Sequence, residues 1–133
     1  MARSATGRVK LVAQGGEAEA EALFDTGATK SFISLKLAEK LGYTAYDQPK
    51  AVLLAVRDKR AEIIGELVAR VTVLEYELPL SHVFGVVKAL SHDVIIGMDI
   101  IEPYEIVVDA KAGKNILQEV STSYRNPMMA YYV

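Results

Sequence analysis

Apolar and polar residues alternate from Val9 to Ala13 and again from Glu17 to Phe24, with Gln14-Gly15-Gly16 between the two runs. A period of two on either side of a glycine turn predicts a β-hairpin. Glu17, Glu19 and Glu21 fall on one face of the second strand and the alanines on the other, as a solvated strand face requires. An alanine and glutamate run is also compatible with a helix; the period and the preceding glycines favour the strand. That strand delivers Asp25, which is followed at once by Thr26-Gly27, where the backbone must turn.

Further along, Ser34 is expected to cap a short helix carrying Leu35, Leu37, Ala38 and Leu41, and Gly42 to end it. Tyr43 to Pro49 reads as a connection. Ala51 to Val56 and Ala61 to Ile64 bracket a charged tip, Arg57-Asp58-Lys59-Arg60, and predict a second hairpin. Strands are expected at Leu67 to Leu74, at Tyr76 to Leu78 with Pro79 marking a break, and at His82 to Val87. Val94-Ile95-Ile96 is uninterrupted and apolar, a core strand, and Asp99 is placed to cap the turn Ile100-Ile101-Glu102 before Pro103 stops it. Tyr104 to Val108 and Asn115 to Leu117 flank a turn at Ala110 to Gly113. Strand after strand with one or two short helices means a mainly β fold.

Composition narrows the class. The 133 residues sit in the ordinary range of a single domain, and 51% of them are hydrophobic, which excludes a disordered chain. The net charge is −2 and the basic residues are scattered, so nothing marks a nucleic-acid or anionic-membrane surface. With no cysteine there is neither a disulfide frame nor a thiolate metal site. His82 and His92 are isolated, and no metal is expected. Met1 to Ser4 leads into no apolar signal region and no apolar run is long enough to span a membrane; the expected location is soluble and cytoplasmic.

A carboxylate at the end of an apolar run is costly unless something uses it. Asp25 can serve simply as a turn-capping aspartate. However, Asp25-Thr26-Gly27-Ala28 resembles the signature of aspartic proteases, specifically the single-lobe, retroviral-type retropepsins, and Val94-Ile95-Ile96-Gly97-Met98-Asp99, about seventy residues on, resembles their second element. The likeness runs from about Arg8 to about Gln118. It divides the chain into an N-terminal extension at 1–7, a retropepsin-like domain at 8–118 and a C-terminal tail at 119–133. The tail carries Tyr124, Met128, Met129, Tyr131 and Tyr132, apolar enough to pack on a partner subunit.

The resemblance implies a closed β-barrel and peptide-bond hydrolysis by water, without cofactor or metal. Such chemistry needs two carboxylates close enough to share a proton. Only Asp25 stands in an Asp-Thr-Gly; Asp47, Asp58, Asp93, Asp99 and Asp109 are followed by Gln, Lys, Val, Ile and Ala. The second carboxylate must come from another copy, so a homodimer is expected, with a peptide or unfolded protein as substrate. By the same resemblance, Thr26 bonds across to the partner's loop, Gly27 offers its backbone to substrate, Ala28 lines the floor, and Gly97 supports the loop from beneath. Val56, Arg57, Asp58, Lys59 and Arg60 occupy the position of the flap that covers the cleft, although this tip has no glycine. Retroviral members usually carry Asp where this chain has Thr29 and Arg where it has Met98, so the ion pair between them is missing, as it is in cellular and prokaryotic relatives. Two rivals stand beside the enzyme: a catalytically weak or inactive module of the same fold that dimerises or binds peptides, and a phosphate loop of the actin-like kind. The latter would require a second phosphate loop and a longer chain.

Overall fold

The computed structural model describes residues 4–54 and 59–108, the side chains at 52–54 and 59–60 excepted. Seven strands and two short helices follow one another: β1 Ser4–Ala13, β2 Gly16–Asp25, β3 Phe32–Ser34, α1 Leu35–Leu41, β4 Thr44–Leu54, β5 Lys59–Val73, β6 Tyr76–Val87, β7 Val94–Ile96 and α2 Met98–Ile101. The sheet order is β1-β2-β7-β3-β6-β5-β4, and an added β1–β5 pairing closes the first six into a barrel with β4 on the outside. Closure removes most of the open edges that a twisted sheet of this size would otherwise present.

The first hairpin forms as its alternation requires. Its register pairs Val9 with Ala20 and reaches back to Ser4 opposite Asp25, so β1 begins inside the stretch read as an extension. Ala20 and Ala22 are buried while Glu17, Glu19 and Glu21 are exposed. Ser34 caps α1 by accepting the Leu37 N–H at 3.2 Å, and its own hydroxyl reaches the Asp93 carboxylate at 3.3 Å. Gly42, at φ 84°, ends the helix with its N–H on the Ala38 carbonyl. The hairpin turn docks there: Gly15 donates to the Leu41 carbonyl at 2.9 Å, and a Cβ at Gly15 would lie 2.8 Å from that oxygen.

Several stretches differ from the sequence reading, two of them because of proline. Proline cannot donate to a ladder, yet a bulge lets a strand carry it without losing a bond. Tyr43 to Pro49 is not a plain connection: β4 starts at Thr44, and its register jumps from Ala45↔Gly65 to Lys50↔Ile63, leaving Pro49 in the bulged segment. Pro79 does not break β6 either, because the register passes from Arg70↔Ser81 to Thr72↔Glu77 and carries the proline across. The two strands expected at Ala61 to Ile64 and Leu67 to Leu74 are one, β5, continuous through Gly65. A Cβ there would meet the Thr44 carbonyl at 2.4 Å, so glycine is what allows β4 to lie against it. Lys59 and Arg60 belong to β5, opposite Leu54 and Leu53, which shortens the expected charged tip. Val56, Arg57 and Asp58 lie outside the described residues, as do the turn at Ala110 to Gly113, the strand at Asn115 to Leu117 and the tail. Tyr104 to Val108 is not a full strand, since Tyr104 and Glu105 sit in a turn, with Glu105 at φ 54°.

Side chains on β2 and β7 alternate between two apolar clusters. Ala22, Phe24, Val94 and Ile96 point into the main core with Leu11, Ile33, Leu41, Val71 and Phe84. Leu23 and Ile95 point the other way, to Ala28, Phe32 and Val87, with partly buried Ala61, Ile63 and Leu90 at the rim. Being covered on both faces explains why Val94-Ile95-Ile96 carries no polar position.

Candidate active site

Phe24 pairs with Ile96 in parallel, which sets Asp25 and Gly97 side by side at the ends of β2 and β7. The chain then arches over the end of β7 and returns on its far side as β3, with Phe32 opposite Ile95. Asp25 therefore stands at the root of a loop laid across β7. Its residue is 4% exposed, and its Oδ1 accepts the Gly27 N–H at 2.8 Å, while its carbonyl accepts the Ala28 N–H at 3.1 Å. This is the turn-capping geometry, and it also fixes the carboxylate's orientation.

The loop is stitched to β7 and α2. Met98 donates its N–H to the Ala28 carbonyl at 2.7 Å, and Gly97 donates to the Ser31 hydroxyl at 2.9 Å. A Cβ at Gly97 would lie 2.3 Å from the Lys30 carbonyl oxygen and 2.7 Å from that of Ala28. Only glycine permits this approach, and at φ −101° the reason is space rather than backbone conformation. Ser31 lies between the two elements with its hydroxyl donating to Asp99 Oδ1 at 2.7 Å and its N–H to Oδ2 at 3.2 Å. Here the sequence reading of Asp99 is corrected: the N-cap of α2 is Gly97 with no side-chain capping bond, and the Asp99 carboxylate reaches instead to a residue 68 positions away. The Asp25 loop and α2 together thus bring Asp25, Thr26, Gly27, Ala28 and Gly97 to one place. Ser31 and Asp99 belong there too, and no short-range pattern announces that pairing.

Behind Asp99, His82 on β6 meets the Tyr104 hydroxyl at 2.6 Å through Nε2, the rings crossing edge-on at 84°. Burial pushes the imidazole below its ordinary value, partly opposed by the Asp99 carboxylate. The unfolded chain therefore takes up this proton first as pH falls. The stability held by the neutral ring is complete above the unfolded value and is lost as pH falls from about 6.5 toward the folded one. His82→Gln is expected to lose less stability than wild type between pH 7 and 5, as read by urea midpoints at both values. A variant that falls as steeply as wild type removes His82 from the acid response.

Among the described residues no three His, Cys, Asp or Glu side chains are grouped to hold a metal ion, and no helix is long and apolar enough to cross a membrane. A groove of about 640 Å³ outside the first hairpin is lined by Arg8, Lys10, Glu19, Glu21 and Glu75 among others. It does not include Asp25, and the charges of its lining residues Arg8 and Lys10 are engaged in exposed ion pairs, with Glu19 at 3.2 Å and, beyond the groove, with Glu17 at 3.3 Å, which solvent screens.

With this geometry in hand, likeness to known proteins is informative. Residues 12–103 match the family described as "gag-polyprotein putative aspartyl protease". The fold is similar to the crystal structure of the retroviral protease-like domain of Ddi1 from Leishmania major, with a TM-score of 0.57 and 21% identity over 88% of this chain and 94% of that one. A foamy viral protease-reverse transcriptase in complex with an RNA/DNA hybrid also aligns, at a TM-score of 0.39 and 16% identity, over 74% of this chain but 12% of the viral one. No curated protein sequence matches the chain. The six-stranded barrel, the loop laid across β7 and the sequence match over its core agree: the chain belongs to the gag-polyprotein-type aspartyl protease family, and its fold is retropepsin-like.

Proposed function

We propose that the protein is an aspartic endopeptidase whose active site forms between two copies of the chain. The observation that carries this reading is the Asp25 carboxylate, nearly enclosed at the C-terminal end of β2 and held by its own loop, in a chain with a single Asp-Thr-Gly. One carboxylate can activate water as a base, but a second, protonated one must polarise the scissile carbonyl. A two-fold axis between two Asp25 loops supplies both from one sequence. Like charges at that distance cannot both ionise, so the pair shares a proton and the roles are divided between its members.

In this reading Asp25 and its partner copy hold the nucleophilic water between them. One carboxylate takes a proton from the water as its oxygen attacks the scissile carbonyl, and the protonated one gives its proton to the carbonyl oxygen. As the C–N bond breaks, the first proton goes to the departing amine and the second returns from the gem-diol, with no covalent enzyme intermediate and no cofactor. Thr26 stiffens the pair across the axis, Gly27 presents backbone to an extended peptide, and Ala28 lines the floor. Val56, Arg57, Asp58, Lys59 and Arg60 keep, in this reading, the substrate-covering role that the family resemblance implies for them. Leu23, Ala28, Phe32 and Val87 adjoin Asp25 as an apolar cluster rimmed by Ala61, Ile63 and Leu90, which favours apolar side chains next to the scissile bond.

Because two chains make one site, specific activity is expected to collapse on dilution through the dimer dissociation constant, with a maximum on the acid side of neutrality. Peptide-library cleavage from pH 3 to 7, followed against protein concentration with the size measured in parallel, checks this. Constant specific activity down to monomeric solution overturns the shared site. A dimer that cuts nothing across that range leaves a peptide-binding module of the same fold.

A further inference from the structure

The geometry points to Ser31 and Asp99 as a clasp that positions the Asp25 loop, a role that rests on the reading of Asp25 as the catalytic carboxylate. Ser31 is 1% exposed; its hydroxyl and its N–H are both spent on one junction, while its carbonyl accepts the Gly85 N–H of β6 at 3.0 Å. Its hydroxyl donates to Asp99 Oδ1 at 2.7 Å and accepts the Gly97 N–H at 2.9 Å, and its own N–H goes to Asp99 Oδ2 at 3.2 Å. One carboxylate thus grips one residue through two donors, in the fork arrangement that fixes direction as well as distance.

The grip matters because of what lies on either side. Ser31 ends the loop that begins at Asp25, and Gly97 follows the strand that flanks β2. Met98 N–H on the Ala28 carbonyl ties the middle of the same loop to the same helix start. The loop is therefore held at its root by the Asp25–Gly27 bond, at its centre by Met98 and at its far end by Asp99. Asp99 is itself an exposed residue in the first turn of α2, on the edge of the structure, and its backbone is set by Ile100 and Ile101, both buried. Core packing of α2 is in this way transmitted to the catalytic loop.

The clasp acts through Asp25 and touches no substrate, so its loss should appear in turnover rather than in affinity. Asp99→Ala and Ser31→Ala are each expected to lower kcat by about 10- to 100-fold with KM little changed, since a displacement of about an ångström at a reacting group has that effect. The acid limb of the kcat profile should move, because the shared proton depends on the spacing of the carboxyls. The double variant should be little worse than either single one, as members of one network behave. Asp99→Asn, which keeps an acceptor oxygen, should fall between wild type and Asp99→Ala. Amide exchange at Gly97 and Ser31, followed by NMR, should quicken in Asp99→Ala.

A merely structural Asp99 would lower the melting temperature and leave kcat and its pH profile in place; that result overturns the clasp, as does unchanged exchange at both amides. If wild type cleaves nothing, it is the proteolytic reading that fails, and exchange still decides whether Asp99 orders the loop.

Discussion

Asp25→Asn is expected to abolish cleavage while leaving the dimer intact. The amide is nearly isosteric and its oxygen still accepts the Gly27 N–H that holds the turn at 2.8 Å, so the local fold survives. What disappears is the carboxyl pair, base and acid together. General acid–base assistance contributes about 10²- to 10⁴-fold, and because each copy carries the substitution, base and acid are both lost and the whole of it is forfeited. Stability should be little changed, since the shared proton already leaves a single charge at the axis and the amide keeps the shape and the Gly27 bond of the carboxylate.

Mixing experiments sharpen the test. When wild-type protein is combined with an equal amount of Asp25→Asn under exchanging conditions, random pairing leaves half of the wild-type subunits in mixed dimers. Each mixed dimer has one carboxylate and is expected to be inactive. Activity at fixed wild-type concentration should therefore fall to about half. If each chain carried a complete site, the added variant would change nothing. Retained cleavage by the homogeneous variant would remove Asp25 from the chemistry altogether and return it to the turn-capping role that its bond to Gly27 already fulfils.

The parts of the fold that were legible in the sequence are those set by neighbours along the chain. Alternation around Gly15-Gly16 marks the first hairpin, and Ser34 with Gly42 brackets α1, because caps and glycine turns are local devices. Asp25 and Gly97 were legible because each stands at the end of an apolar run in a recognisable short context. The break between β5 and β6 was legible to within a residue, between Leu74 and Tyr76, but its form was not: Leu74 and Glu75 take φ 50° and 68° without any of the usual turn residues. Their conformation is imposed by the long pairing of β5 with β6, not by their own preference. Pro49 and Pro79 misled for the converse reason, since a bulge that accommodates proline depends on the opposite strand. Asp99 shows the same limit at the site. Its place in a first turn suggests a cap, whereas its partner is Ser31, brought to it only when β3 returns across β7.

Gly97→Ala is expected to be among the most damaging single substitutions in the barrel. The added methyl would stand 2.3 Å from one carbonyl oxygen and 2.7 Å from another, distances that Cβ atoms do not tolerate. Neither oxygen can retreat cheaply: the Ala28 carbonyl is bonded to Met98 N–H, and Lys30 is followed directly by buried Ser31. Relief must come from lifting the Asp25 loop off β7, which also breaks the bond from Gly97 N–H to Ser31. Overpacking of this severity, with a buried donor orphaned, costs about 3 kcal/mol or more. Gly42→Ala is the informative comparison, since its difficulty is conformational: φ is 84° and the nearest atoms are 3.5 Å away. It should cost only about 1 to 2 kcal/mol and, lying at the end of α1, leave peptide cleavage in place. Urea midpoints with unchanged slopes would give both losses, and cleavage assays would separate them. A Gly97→Ala protein within about 1 kcal/mol of wild type and still active would mean that the loop has room to move, and that close contact with β7 is not what holds Asp25 in position.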